Sequence, residues 1–212
     1  MSNKPKIIFI IGMHRCGTSV LTNCLIENGF SIGKNKNTSI NWQNPKGYFE
    51  NDTFYKVHND LLDYNNSSWK NITTHTMKYT QDHIRQYHRH LKNEFNKEKY
   101  IVIKDPRLTF FVDFLKDVCE DKYDYYFLFL TRDKIECCNS LSKAQRLHIE
   151  KCKVLYDITM SKFSNDFLKI NHREIILNNA DTMKKISEFC YFPIIKNTDN
   201  IVDMKLYRNR NI

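Results

Sequence analysis

"KIIFIIGMHRCGTSVLTNCLIENG", residues 6–29, reads as a strand, a glycine loop and a helix. Residues 6–11 are a continuous β-branched and aromatic run, which suits a strand buried on both faces of a parallel sheet. After the loop, Val20, Leu21, Cys24 and Leu25 fall at helical spacing, and Gly29 stands where a helix C′ glycine belongs. Strand–loop–helix is the context of a phosphate-binding loop. The nucleotide version reads G-x-x-x-x-G-K-S/T, with the lysine on the terminal phosphates and the hydroxyl on Mg²⁺. Here Gly12 and Gly17 hold the glycine positions and Ser19 the hydroxyl, but Thr18 replaces the lysine. The strong cation of the loop is Arg15. Backbone N–H groups at a helix N-terminus form an anion site. Thr18 and Ser19 add hydroxyls, and a guanidinium can span two phosphate oxygens.

Outward from this segment the pattern alternates. "YIVIKD" (100–105) and "YYFLFLTR" (125–132) are further buried strands, and "EIIL" (174–177) is expected as a fourth. Helices are expected over 52–64, from Thr80 ("TQDHIRQYHRHLKNEF"), from Pro106, after Asp133, over about 149–171, and at "DTMKKISEFC". Asp133 with Glu136 predicts a capping box. Strands alternating with helices imply an α/β fold with a mostly parallel sheet flanked by helices. No internal repeat or second-domain boundary is visible, so residues 1–212 are expected to form one domain.

The chain has 212 residues, 41% hydrophobic and 13% aromatic, a globular composition. Its formal net charge of +9 favours anionic ligands. The Lys and Arg are scattered, without a dense basic run interleaved with aromatics, so nucleic acid is not the expected partner. Seven cysteines without a C-x-x-C indicate buried thiols in a reducing compartment. "IIFII" is too short for a signal-peptide core and no stretch reaches membrane-spanning length. The expectation is a soluble cytoplasmic protein without a membrane role. His83, His88 and His90 do not share one helix face, and no metal is expected.

Three further segments carry candidate chemistry. Lys104 and Asp105 end the second strand, where open α/β sheets place ligand groups. Arg132 ends the third, with Ser140 eight residues on in the next helix. "NPKGYFEN" (44–51) is a shaped turn holding Glu50 beside Phe49. A carboxylate beside apolar groups can serve as a base. Taken alone, each of these segments reads more readily as ordinary cap, loop or surface chemistry.

In their order and spacing these segments resemble the sulfotransferases that use 3′-phosphoadenosine 5′-phosphosulfate (PAPS). Those enzymes carry a loop of the type K/R-S/G-G-T/S-T/S after the first strand. "HRCGTS" (14–19) matches it, with Cys16 where Ser or Gly is usual. They also carry an Arg at a later strand end with a Ser eight residues on. The loop is especially similar to the GMHRSGTS loop of bacterial-type members, and "KDP" resembles the protein-tyrosine sulfotransferases. The similarity covers 7–51 and 100–142.

The resemblance implies a three-layer, P-loop NTPase-like sulfotransferase fold, PAPS as donor and PAP as product. Arg15, Gly17, Thr18 and Ser19, within a loop that includes His14 and Cys16, would hold the 5′-phosphosulfate. Arg132 and Ser140 would hold the 3′-phosphate, and Lys104 would reach the sulfuryl group. Glu50, in the family-like "GYFE", would be the acceptor base. Cys16 removes one loop hydroxyl, and a C-terminal R-K-G lid is missing, with "YRNRN" (207–211) a loose basic substitute. The acceptor (carbohydrate, tyrosine, lipid or small alcohol) and the oligomeric state are not legible. Two alternatives stay open: a P-loop nucleotide kinase or NTPase, and a non-catalytic basic nucleic-acid or scaffold protein.

Overall fold

Ile7 to Ile11 are all fully buried, as the apolar run predicts. The structure is a computed structural model that describes residues 4–40, 46–74 and 76–203; "YRNRN" and the start of the 44–51 turn lie outside them. In chain order the elements are β1 (Lys6–Gly12), α1 (Thr18–Glu27), β2 (Lys36–Asn37), β3 (Glu50–Asn51), α2 (Asp52–Tyr64) and α3 (Gln81–Glu94). Then come β4 (Tyr100–Lys104), a 3₁₀ turn (Pro106–Phe110), α4 (Val112–Cys119), β5 (Asp124–Thr131) and α5 (Lys134–Gln145). The chain continues with α6 (Ile149–Met160), β6 (Leu168–Asn171), α7 (His172–Leu177), α8 (Asn179–Cys190) and a 3₁₀ turn (Asp199–Ile201).

Four parallel strands form the main sheet in the order β4-β1-β5-β6. Alternate residues of β1 enter two separate cores. Ile8 and Ile10 pack with Leu21 and Leu25 of α1, Leu141 of α5, Leu155 of α6 and Ile186 of α8. Ile7, Phe9 and Ile11 pack with Phe54 of α2, Tyr87 of α3 and Phe114 of α4. The result is three layers, the expected α/β architecture. Each fully buried large apolar side chain contributes about 1.5–3 kcal/mol, so β1 is the most heavily anchored strand.

Local chemistry fixes most helix starts. Asn51 accepts from the N–H groups of Thr53 and Phe54, and Thr80 forms a capping box with His83. Asp133 accepts from Glu136 N, but the Glu136 carboxylate does not return to complete the expected box; it binds Arg132 and Arg173. The helix expected directly from Pro106 begins as a 3₁₀ turn, with Asp105 accepting from Arg107 N.

The fourth strand is not 174–177. Those residues lie in α7, because Asn171 caps that helix and Glu174 reaches back to Asn171 N at 3.1 Å. The strand is 168–171, paired with Leu128–Thr131 of β5. The long helix expected over 149–171 accordingly stops at Met160. A four-residue edge strand with two polar residues carries little periodic signal.

Candidate active site

All strands of the main sheet run parallel, so the C-terminal ends of β1, β4 and β5 share one edge. That edge carries the loop after β1, Lys104 and Asp105 at the end of β4, and Arg132 after β5. The loop turns at Gly12, where φ is +123° and an added Cβ would lie 2.3 Å from Leu130 O. β1 thus approaches β5 too closely there for a side chain. Gly12 N donates to Thr109 Oγ1 at 2.8 Å. Gly17, with φ +88°, is the N-cap of α1 and supplies no side-chain acceptor to the N–H groups of the first turn. A Cβ on Gly17 would come within 2.5 Å of His172 Cδ2.

Arg15 and the third-strand motif meet. Arg15 Nε donates to Ser140 Oγ at 3.2 Å, and Arg132 Nη1 donates to Arg15 O at 3.0 Å. Arg132 Nε also donates to Glu136 Oε2 at 3.2 Å, and Tyr156 Oη donates to Arg132 O at 2.6 Å. Three of the residues expected to bind phosphate therefore form one cluster. Thr18 is buried at the head of α1. The Ser19 hydroxyl donates to Tyr48 O at 3.2 Å, tying the loop to the turn that carries Glu50. Cys16 is fully buried, 3.6 Å in Sγ–Sγ distance from Cys137.

The second cluster surrounds the end of β4. Lys104 Nζ is 2.7 Å from Glu50 Oε1, with the two side chains 2% and 18% exposed. Glu50 thus faces an ammonium group, where the sequence suggested apolar neighbours. Asp105 accepts from Arg107 N and Nε at 2.9 and 2.8 Å. Its other oxygen is 2.7 Å from His58 Nδ1. Burial pushes Asp105 up, but Arg107 and His58 more than offset it and hold the carboxyl well below the usual range. This saturated carboxylate is occupied as an anchor. Arg107 Nη1 donates to Asn59 Oδ1 at 2.8 Å, and its guanidinium lies 3.9 Å from the Tyr55 ring centre.

His14 is half-buried, with its ring 4.7 Å from that of Trp69. Burial lowers its pKa to about 4; Asp105 opposes this, while Arg107, Lys104 and Arg15 add to it. His14 is therefore neutral at pH 7. His172, pushed by burial and Arg132 to about 3, is neutral too.

His58, Arg107, Thr109 and His172 were not singled out in the sequence, and Glu136 was read there only as a capping partner of Asp133. Arg107 follows "KDP" directly and was within reach of that reading. The others contribute through contacts made across the fold, for which the chain carries no local sign. Among the described residues no group of three or more His, Cys, Asp and Glu is placed to hold a metal ion. No helix among them is long and apolar enough to cross a membrane.

No family model matches the chain, and a search of curated proteins finds no match. Solved structures do match. A sulfotransferase domain from the olefin synthase of Synechococcus superposes with a TM-score of 0.56 at 11% identity, covering 99% of this chain and 85% of that one. A sulfotransferase domain from the curacin biosynthetic pathway gives 0.53 at 14% identity, covering 93% and 77%. A sulfotransferase from Mycobacterium tuberculosis gives 0.52 at 14% identity, covering 93% and 70%. The chain has the sulfotransferase fold.

Proposed function

We propose that the protein transfers a sulfuryl group from PAPS to a hydroxyl or amine acceptor and releases PAP. The observation that carries this reading is the meeting of Arg15, Arg132 and Ser140, from motifs more than a hundred residues apart, beside an uncapped helix N-terminus. A bisphosphorylated adenosine requires two anion sites on one sheet edge, and a nucleoside triphosphate requires only the first. Thr18, in place of the P-loop lysine, also disfavours a triphosphate.

In this reading Arg132, Ser140 and Arg15 bind the 3′-phosphate. The first turn of α1, with Thr18 and Ser19, binds the 5′-phosphosulfate. Lys104 faces the sulfuryl oxygens. The acceptor oxygen or nitrogen attacks sulfur, and its proton passes to Glu50. The bond from sulfur to the bridging oxygen breaks, and its electron pair leaves with PAP. Charge grows on the bridging oxygen and spreads over the sulfuryl oxygens, so fixed cations and N–H donors are the main catalytic resource. The Lys104–Glu50 pair opens in the process: the ammonium turns to the developing charge as the carboxylate takes a proton.

A thermal-shift panel of PAP, ATP with Mg²⁺ and an oligonucleotide tests the reading. PAP should raise the melting temperature most. Preference for ATP with Mg²⁺ would restore the kinase or NTPase alternative, and steeply salt-dependent oligonucleotide binding without PAP preference the scaffold one. With an acceptor found by screening, Glu50→Gln should abolish turnover and leave PAP affinity nearly unchanged. Near-normal turnover would remove Glu50 as base and turn attention to His14, which is neutral and close to Lys104.

A further inference from the structure

We infer that Cys16 and Cys137 form a thiol pair that oxidation joins into a disulfide, shutting the phosphate loop. The consequence for binding rests on the sulfotransferase reading; the pairing itself does not. Cys16 lies between Arg15 and Gly17 in the loop, and Cys137 lies on α5, three residues before Ser140. Their sulfurs are 3.6 Å apart, and the Cys137 thiol donates to His14 O at 3.2 Å. With that proton on the carbonyl, the Cys16 thiol is the donor between the two sulfurs. All seven cysteines are free and buried. This pair differs in joining the two elements that hold the proposed ligand.

Full burial makes the first step slow and admits only a small oxidant such as hydrogen peroxide. The Cys137 proton is held on His14 O, so Cys16 is the first to react. Its sulfur attacks one peroxide oxygen, the O–O bond breaks, and a sulfenic acid and water form. Cys137 sulfur then displaces the sulfenic hydroxyl, which leaves as a second water. The two thiols lose two electrons and two protons in total, and the peroxide takes both. A disulfide sulfur–sulfur distance is about 2.05 Å, so the two sulfurs must close by about 1.5 Å, through side-chain rotation and movement of the loop towards α5. That movement drags Arg15, whose carbonyl and side chain are tied to Arg132 and Ser140. A shift of about 1 Å is enough to spoil a preorganised site.

The test treats the full chain with excess hydrogen peroxide, with and without saturating PAP, then alkylates the remaining thiols and maps peptides by mass. The expected result is a Cys16–Cys137 linked peptide in the free protein, suppressed by PAP. PAP affinity should fall at least about tenfold and recover with dithiothreitol. Cys137→Ser should bind PAP as before and ignore peroxide, and Cys138→Ser should behave like the parent. Three results overturn the inference: both thiols still alkylated, a link to Cys138 or Cys152 instead, or the expected link with unchanged PAP affinity. If the reduced parent protein does not bind PAP, the switch falls with the function beneath it, even where the linked peptide forms.

Discussion

Arg15 Nε donates to Ser140 Oγ, which draws the guanidinium to the proposed 3′-phosphate site. The backbone of Arg15 is left-handed there, with φ +71°. Arg15→Ala and Arg132→Ala should therefore behave alike. Each removes a charge-assisted contact worth roughly 1.5–3 kcal/mol, about ten- to a hundredfold in PAP affinity. Adenosine 5′-phosphosulfate, which lacks the 3′ group, should lose little. Paired calorimetric titrations check this, and equal losses for both ligands would reject the shared 3′ site. Gly12 makes a different demand. Leu130 O is backbone and cannot move aside, so Gly12→Ala should destabilise the fold by about 2–4 kcal/mol. Chemical denaturation measures that cost, and a loss under about 0.5 kcal/mol would show that β1 and β5 can separate there.

Glu94 of α3 organises the elements that present Glu50. It accepts from Lys34 N and Asn35 N, both at 2.9 Å, and from Asn51 Nδ2 at 2.9 Å and Thr53 Oγ1 at 2.7 Å. One carboxylate thus ties α3 to the turn before β2, to β3 and to the start of α2. Burial pushes its pKa up, but the bonds from Asn35, Asn51 and Thr53 prevail and hold it at about 2. The folded pKa lies below the unfolded one of roughly 4.3. Its stabilisation is therefore present above that unfolded value and is lost as pH falls towards 2. Glu94→Gln should cost about 1–3 kcal/mol at neutral pH and lower turnover more than PAP affinity. An unchanged denaturation midpoint would show that the bonds add nothing.

This polar junction was not foreseen, since Glu94 looks in sequence like one more charge on a basic helix. The strands β1, β4 and β5 were legible because burial on both faces writes a long apolar run. β6 was not, because it is a short edge strand, and the apolar run after it belongs to a helix whose start Asn171 sets.

Three histidines at the functional edge couple the whole molecule to pH. Burial lowers the pKa of His58, of His14 to about 4 and of His172 to about 3. The unfolded chain takes up these protons near pH 6.5 and the folded chain does not. Stability is therefore full above that pH and falls as pH drops from about 6.5 towards 4. Each histidine can add up to about 1.4 kcal/mol per pH unit to the slope. Melting temperatures between about pH 7.5 and 5 check this; a flat profile would mean that these side chains become protonated without unfolding. A bound bisphosphate would counter the charges of Arg15 and Arg132 near His172 and soften the decline.

The order of strands and helices, the glycine loop and the candidate pairs at strand ends could all be read along the chain. Each is a local matter: apolar runs choose strands, glycines allow positive φ, and short spacings stay short in any fold. Which motifs share a site could not be read that way. The parallel order β4-β1-β5 sets Lys104, the loop and Arg132 along one edge, and Glu50 arrives from a turn that Glu94 anchors. Packing also assigned Asp105 to Arg107 and His58 as an anchor, brought Arg15 to Ser140, and set Cys16 against Cys137. Apart from Asp105–Arg107, two residues apart, these contacts span large separations in sequence. Their energy comes from burial and charge pairing across layers, which no local segment encodes.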